Sequence, residues 1–183
     1  TARFPDLVAG IRRCAPLRVP LRSVSPSMTP VCYASMFTGA GPEAHGIRQY
    51  EKPVLACDTL FDVVVRAGGR VAIVAVADSS IDRIFRGRAV DYYAEKYDPW
   101  VTERVVGLMA EDRHDLVVAY HQEYDDVMHG TDPWNPRAVR GAESAVFAFA
   151  ELGRVADERW AGRDRAVLFA PDHGAHRDAA SGK

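Results

Sequence analysis

The stretch RVAIVAVA, residues 70–77, decides how this 183-residue chain is expected to fold. It is apolar at almost every position and rich in β-branched side chains. Continuous hydrophobicity, instead of alternation, is typical of a strand covered on both faces of a parallel sheet. Two further runs share this character, DLVVAY at residues 115–120 and RAVLFA at residues 165–170. We therefore expect three buried strands.

Helical patterns separate these strands. Residues 58–67 follow an Asp and end at a Gly-Gly pair, residues 99–111 place four apolar side chains on one side, and residues 136–161 repeat apolar side chains at helical spacing. The alternation of strand and helix predicts an α/β domain with a mainly parallel sheet. We expect one domain over residues 1–183, with the proline-rich start forming irregular structure.

Composition narrows the classes of function. The 23 basic and 25 acidic side chains give a net charge of −2, which does not favour binding to a nucleic acid duplex. No stretch approaches the roughly 20 apolar residues of a membrane span, and the first residues do not resemble a signal peptide. The three cysteines form no CxxC pair and look reduced, which favours the cytoplasm. The mature part of an exported protein has the same pattern, so the compartment stays open. The sequence does not indicate an oligomeric state.

Acidic and histidine side chains follow two of the predicted strands. Asp125 and His129 lie four residues apart after the second strand, in a predicted loop, and Asp172-His173-Gly174 follows the third. Functional groups of open α/β sheets collect at the carboxyl ends of strands, and carboxylate and imidazole groups suit a cation such as zinc. Taken alone, the first pair also fits an ordinary polar surface, and the second fits a helix cap followed by a loop histidine.

A third segment of interest is PSMTPVCYASMFTGAGPEAHGI, residues 26–47. Thr29-Pro30 indicates the start of a short helix, with Thr29 at the N-cap. A hydroxyl group at a helix N-terminus lies among free backbone N–H groups, where a phosphate is favoured. The simpler alternative is that Thr29 only caps the helix.

Together the three segments resemble the alkaline phosphatase superfamily, most closely its nucleotide pyrophosphatase/phosphodiesterase-like branch. That branch has a Thr before a helix containing Pro, then a TG pair, then PExHGI. Here the corresponding residues are Thr29, Thr38-Gly39 and residues 42–47. The D-x-x-x-H and DHG motifs of the branch match the two Asp/His segments, in the same order along the chain.

The resemblance implies a three-layer α/β/α sandwich and an enzyme that hydrolyses small phosphoesters or nucleotide-like substrates. It implies two divalent cations, usually zinc, with Asp125 and His129 at one and Asp172, His173 and Thr29 at the other. Thr29 is then the nucleophile and forms a phosphothreonine intermediate. The resemblance assigns His45 a structural role in the turn after the nucleophile helix.

The sequence departs from this family at three positions. No strand ending in Asp precedes Thr29, no further His follows well beyond the DHG motif, and Cys32 stands where many relatives carry an Asn. We expect from this that the chain is truncated at both ends. The alternatives are a phosphatase or phosphonate hydrolase of the same superfamily, or a descendant of the fold that binds without catalysis.

Overall fold

The apolar run at residues 70–77 forms the central strand of a small parallel sheet. A computed structural model describes residues 5–174 of the chain. Among these residues the elements are, in order, α1 (Pro5–Cys14), α2 (Thr29–Thr38), α3 (Pro42–His45), α4 (Leu60–Arg66), β1 (Val71–Val76), α5 (Ser80–Ile84), β2 (Asp91–Glu95), α6 (Asp98–Glu111), β3 (Leu116–Tyr120), α7 (Glu123–Gly130) and α8 (Pro136–Arg159). All six residues of β1 are buried, as continuous hydrophobicity predicted. The described chain is therefore mixed α/β.

The strand order β2-β1-β3 fixes where the helices lie. Both neighbours pair with β1 in parallel. The chain moves from β1 to β2 in one direction and from β2 to β3 in the opposite direction. Because crossovers between parallel strands are right-handed, α5 and α6 cover opposite faces of the sheet. The α5 face carries the main apolar cluster, to which β1 contributes Val71, Ile73 and Ala75.

Strand β2 was missed in the sequence because it is neither continuously apolar nor buried. Its sequence is DYYAE, and its side chains are half-buried or exposed. Polar contacts hold its first residue. At the start, Asp91 Oδ2 accepts hydrogen bonds from His114 Nε2 at 2.8 Å and Arg70 Nη2 at 3.2 Å. The His114 hydrogen bond is the largest cause of the lowered pKa of Asp91. Partners distant in sequence thus define this strand.

The predicted helices lie close to the observed ones. Helix α6 buries the four apolar residues that the pattern placed on one side, Val101, Val105, Leu108 and Met109. Helix α4 begins later than predicted, because its N-cap is Thr59 and not Asp58. The Thr59 hydroxyl accepts from Asp62 N, and the Asp62 carboxylate accepts from Thr59 N, which forms a capping box.

Two segments predicted to be irregular are helical. Residues 5–14 form α1, whose apolar side chains follow a helical spacing that the nearby prolines obscured. Residues 123–130, predicted as a loop, form α7. This helix packs on α8 where Gly141 allows close approach: a Cβ atom on Gly141 would lie 3.1 Å from Tyr124 Cα.

The prediction of a strand at residues 165–170 is wrong. These residues form no strand, and Leu168 is 79% exposed. The segment is held against α8 instead. Arg165 donates to the carbonyl of Trp160 at 2.9 Å and pairs with Asp157 at 2.6 Å, while the Phe169 ring lies 5.2 Å from that of Phe149. A short apolar run does not determine by itself whether a strand is available to pair with it.

The described chain divides into two compact units. One contains residues 5–20 and 121–170, and the other contains residues 21–120 and 171–174. The prediction of a single domain stays a prediction, as does the three-layer sandwich. Within residues 5–174, each helix is too short or too polar to cross a bilayer.

We predict that Gly141→Ala destabilises the chain relative to Gly153→Ala. Both glycines lie inside α8, so both substitutions improve helix propensity by about 1 kcal/mol. A Cβ atom meets the backbone of Tyr124 only at position 141, whereas position 153 has nothing within 4 Å. The clash should cost about 1–3 kcal/mol, measurable as the difference in the free energy of unfolding in urea. Equal stabilities would contradict the close approach of α7 and α8.

Candidate active site

Helix α2 places Thr29 at its first residue. The N-cap is Met28, so the prediction that Thr29 is the N-cap is wrong by one position, and Pro30 follows in the first turn. Thr29 is buried, with 8% of its surface exposed. Its hydroxyl therefore lies beside the helix N-terminus without capping it. The helix ends at Gly39, whose φ of 68° is a left-handed conformation that glycine adopts without strain.

Contacts between aromatic rings hold α2 in place. The Tyr33 ring meets that of Tyr120, the last residue of β3, edge to face at 5.4 Å. The Phe37 ring lies 4.6 Å from that of Phe61 and 5.3 Å from that of Phe85. Because Tyr33 is one turn after Thr29, the N-terminal half of α2 lies at the carboxyl edge of the sheet.

The closest polar contact of Thr29 is with His173. Thr29 Oγ1 lies 3.2 Å from His173 Nε2, across 144 residues of sequence. His173 Nδ1 lies 3.0 Å from the carbonyl oxygen of Gly174. A carbonyl oxygen can only accept, so Nδ1 carries the proton. In the neutral ring, Nε2 then presents a lone pair to the Thr29 hydroxyl, which is the arrangement needed to accept a proton or to bind a cation.

Asp172 adds a carboxylate to this pair. Its Oδ2 lies 3.5 Å from His173 Nε2, and the side chains of Asp172 and His173 are 16% and 12% exposed. Atoms that bind zinc tetrahedrally at about 2.0–2.1 Å lie about 3.3 Å from one another. The distances of 3.2 and 3.5 Å from Nε2 to the hydroxyl and the carboxylate match that spacing. His173 is thus spaced from both Thr29 and Asp172 as the ligands of a shared divalent cation would be.

The other two predicted ligands lie together on α7. Asp125 and His129 are one helical turn apart, and His129 Nε2 lies 3.4 Å from Asp125 Oδ1. The His129 side chain is 69% exposed. These residues were predicted to lie in a loop, but on a helix their four-residue spacing puts the two side chains on one face. These residues belong to the unit of residues 5–20 and 121–170.

A second pair of a hydroxyl group and a histidine joins Ser35 of α2 to His45 of α3. Ser35 Oγ is 2.9 Å from His45 Nε2, while His45 Nδ1 accepts from the backbone N–H of Ile47 at 3.2 Å. Because Nδ1 is the acceptor, Nε2 carries the proton and donates it to Ser35. His45 is therefore in the wrong tautomer to act as a base for Ser35, and the pair instead fixes the turn between α2 and α3. Sequence reasoning missed Ser35, because nothing in its local pattern indicates a partner ten residues away.

Cys32 also has a polar partner. It is buried three residues after Thr29, and its Sγ lies 3.1 Å from Ser23 Oγ. The Ser23 hydroxyl lies in turn 3.4 Å from that of Ser27. The thiol is thus engaged with hydroxyl groups of the segment that leads into α2.

Comparison with known proteins adds no family assignment. No protein-family model matches the chain, and no curated protein matches it. Within residues 5–174, no group of three or more His, Cys, Asp or Glu side chains is placed to hold a metal ion. The group formed by Thr29, Asp172 and His173 contains two such side chains, and its third candidate metal ligand is the Thr29 hydroxyl.

We predict that His45 makes stability depend on pH. Burial lowers the pKa of His45 below its ordinary value of 6.5, so below that pH the unfolded chain binds more protons than the folded one. The stability is present above pH 6.5 and is lost as the pH falls through the folded-state pKa. His45→Gln keeps a donor for Ser35 and an acceptor for Ile47 but cannot titrate. Urea unfolding at pH 7.5 and 5.0 should show a smaller pH dependence for the variant, and identical dependences would refute this role.

Proposed function

We propose that this chain hydrolyses small phosphoesters through nucleophilic attack by Thr29. The observation that carries the proposal is the 3.2 Å contact between Thr29 Oγ1 and His173 Nε2. A threonine hydroxyl is a weak nucleophile unless a neighbouring base or cation removes its proton. The pairing of a buried threonine with a histidine from a distant part of the chain suits that activation.

The residues around Thr29 suit a divalent cation, most simply zinc. Asp172, His173 and the Thr29 hydroxyl would hold it, and the distances from His173 Nε2 to the other two donors match tetrahedral coordination. When bound, such a cation supplies a lower pKa for the hydroxyl group and positive charge beside the phosphoryl oxygens. Asp125 and His129 would contribute to a second cation, as the family resemblance implies, in a larger three-layer sandwich.

The chain's own groups account for the remaining steps. The N-terminus of α2 offers backbone N–H groups, which favour a phosphate beside Thr29. Thr29 Oγ1 loses its proton and attacks phosphorus in line with the leaving oxygen. The bond between phosphorus and that oxygen breaks, the leaving group departs as an alcohol after it gains a proton, and the phosphoryl group remains on Thr29 as phosphothreonine. Water then cleaves the new phosphorus–oxygen bond, releases phosphate or a monoester and restores the hydroxyl. The buried position of Thr29 limits competing access of bulk water.

The proposed substrate class rests on the resemblance of the sequence to the diesterase-like branch. The Thr-Pro start of α2 and the PEAHGI turn at residues 42–47 resemble the diesterase-like branch. A diester or nucleotide-like substrate is therefore preferred over a monoester or a phosphonate. Relative rates on p-nitrophenyl phosphate, bis-p-nitrophenyl phosphate and a phosphonate rank the three classes directly.

We predict that Thr29→Ala lowers turnover of bis-p-nitrophenyl phosphate by about 10³-fold or more, because the attacking oxygen is removed. Zinc content, measured on the same samples, should fall much less, because the carboxylate and imidazole remain. Thr29→Ser retains an oxygen and should keep a measurable fraction of the activity.

Ser35→Ala is the matched control for this substitution. It removes another hydroxyl from α2, but one that His45 cannot activate. Its turnover should stay within a few-fold of the unsubstituted chain. Full activity in Thr29→Ala, or a loss in Ser35→Ala as large as in Thr29→Ala, would reject Thr29 as the nucleophile.

A further inference from the structure

An exposed segment that is both apolar and basic connects α1 to α2. Residues 15–24 form neither helix nor strand, and every residue of PLRVPLR, residues 16–22, is exposed. Its apolar side chains Leu17, Val19 and Leu21 are 81%, 63% and 78% exposed. Single exposed apolar side chains are common on protein surfaces, but three at alternate positions form a stretch of the kind that marks a site of interaction.

The charged side chains in this part of the chain are all positive. No acidic residue occurs between positions 6 and 43, whereas four exposed arginines do, namely Arg12, Arg13, Arg18 and Arg22. Within residues 5–174, none of these four side chains has a carboxylate partner. Because the whole chain carries a net charge of −2, the positive charge is a local property of this segment and the end of α1.

The prolines of the segment disfavour another polypeptide strand as its partner. Pairing along a strand uses backbone N–H groups, and Pro16 and Pro20 have none. Pro20 lies between Val19 and Leu21, so the edge strand of a second copy would meet an interrupted ladder. A purely acidic polypeptide would neutralise the arginines but would leave the aliphatic side chains in water.

We infer that residues 12–22 bind an anionic lipid surface. Such a surface offers both kinds of contact together, because its negative head groups attract arginine side chains and the acyl chains beneath them take up aliphatic side chains. A guanidinium group also donates two parallel hydrogen bonds to phosphate oxygens. The binding is peripheral, and it does not depend on the proposed hydrolysis by Thr29.

The test is flotation of the full chain with vesicles of phosphatidylcholine alone and of phosphatidylcholine with about 30% phosphatidylglycerol, which is anionic. We expect binding to the anionic vesicles to be tighter by about tenfold or more, and high salt to remove most of that difference because it screens the charges. The double variant Arg18→Gln/Arg22→Gln should weaken this binding about tenfold or more, whereas Arg18→Lys/Arg22→Lys should retain most of it.

A second variant separates the apolar contact from the charge. Leu17→Ser/Leu21→Ser keeps every arginine and should also weaken binding to the anionic vesicles about tenfold or more. The matched control is Arg137→Gln/Arg140→Gln, which removes two exposed arginines of α8 and should bind as the unsubstituted chain does. Because all of the substituted side chains are exposed, the thermal unfolding of the variants should be unchanged.

Three results would overturn the inference. The first is equal binding to neutral and anionic vesicles, or no binding to either. The second is a loss in Arg137→Gln/Arg140→Gln as large as in Arg18→Gln/Arg22→Gln, which would indicate a general attraction between arginine and lipid. The third is binding to soluble polyglutamate as tight as to anionic vesicles and unaffected by Leu17→Ser/Leu21→Ser, which would assign the segment to acidic polypeptides instead.

Discussion

The burial of β1 on both faces is the constraint on which the 21–120 unit depends. Six consecutive apolar residues cannot be left in water, and their backbone groups need partners on both sides. Parallel pairing with β2 and β3 satisfies the backbone, and helices cover the two faces. The carboxyl end of this strand consequently marks the edge at which the turn at Asp78 and the end of β3 lie close together.

Elements that a local pattern specifies were predictable from sequence. The β1 and β3 runs depend on continuous stretches of apolar residues, and the buried side of α6 depends on apolar residues that recur at helical spacing. Elements that depend on distant partners were not. Strand β2 needs His114 and Arg70 to hold Asp91.

The failure at residues 165–170 has the same physical origin. The apolar run satisfies the composition of a strand, but a strand also needs an adjacent edge with which to pair. Its end residues find other contacts on α8, through Arg165 with Asp157 and Phe169 with Phe149. Position in the fold, and not side-chain type, separates this run from the run that became β1.

The candidate site was predicted in its residue types but not in its chemistry. The motifs named Thr29, Asp172 and His173, and the structure brings His173 close to both of the others. The sequence does not encode the tautomers, because these depend on which ring nitrogen meets a carbonyl or an amide. In its neutral form His173 directs a lone pair toward a hydroxyl, while His45 directs a proton toward one. Two histidines beside two hydroxyl groups of one helix therefore have opposite capacities.

The rings beneath α2 restrict how that helix can move. Tyr33 and Phe37 lie one turn apart, and their ring contacts reach β3, α4 and α5. Rotation of the helix about its own axis would break all of these ring contacts at once, whereas a small shift along the axis would break fewer of them. Aromatic packing more than a turn away thereby fixes the rotation of α2 about its axis. The direction in which Thr29 Oγ1 points consequently depends on side chains of the apolar interior.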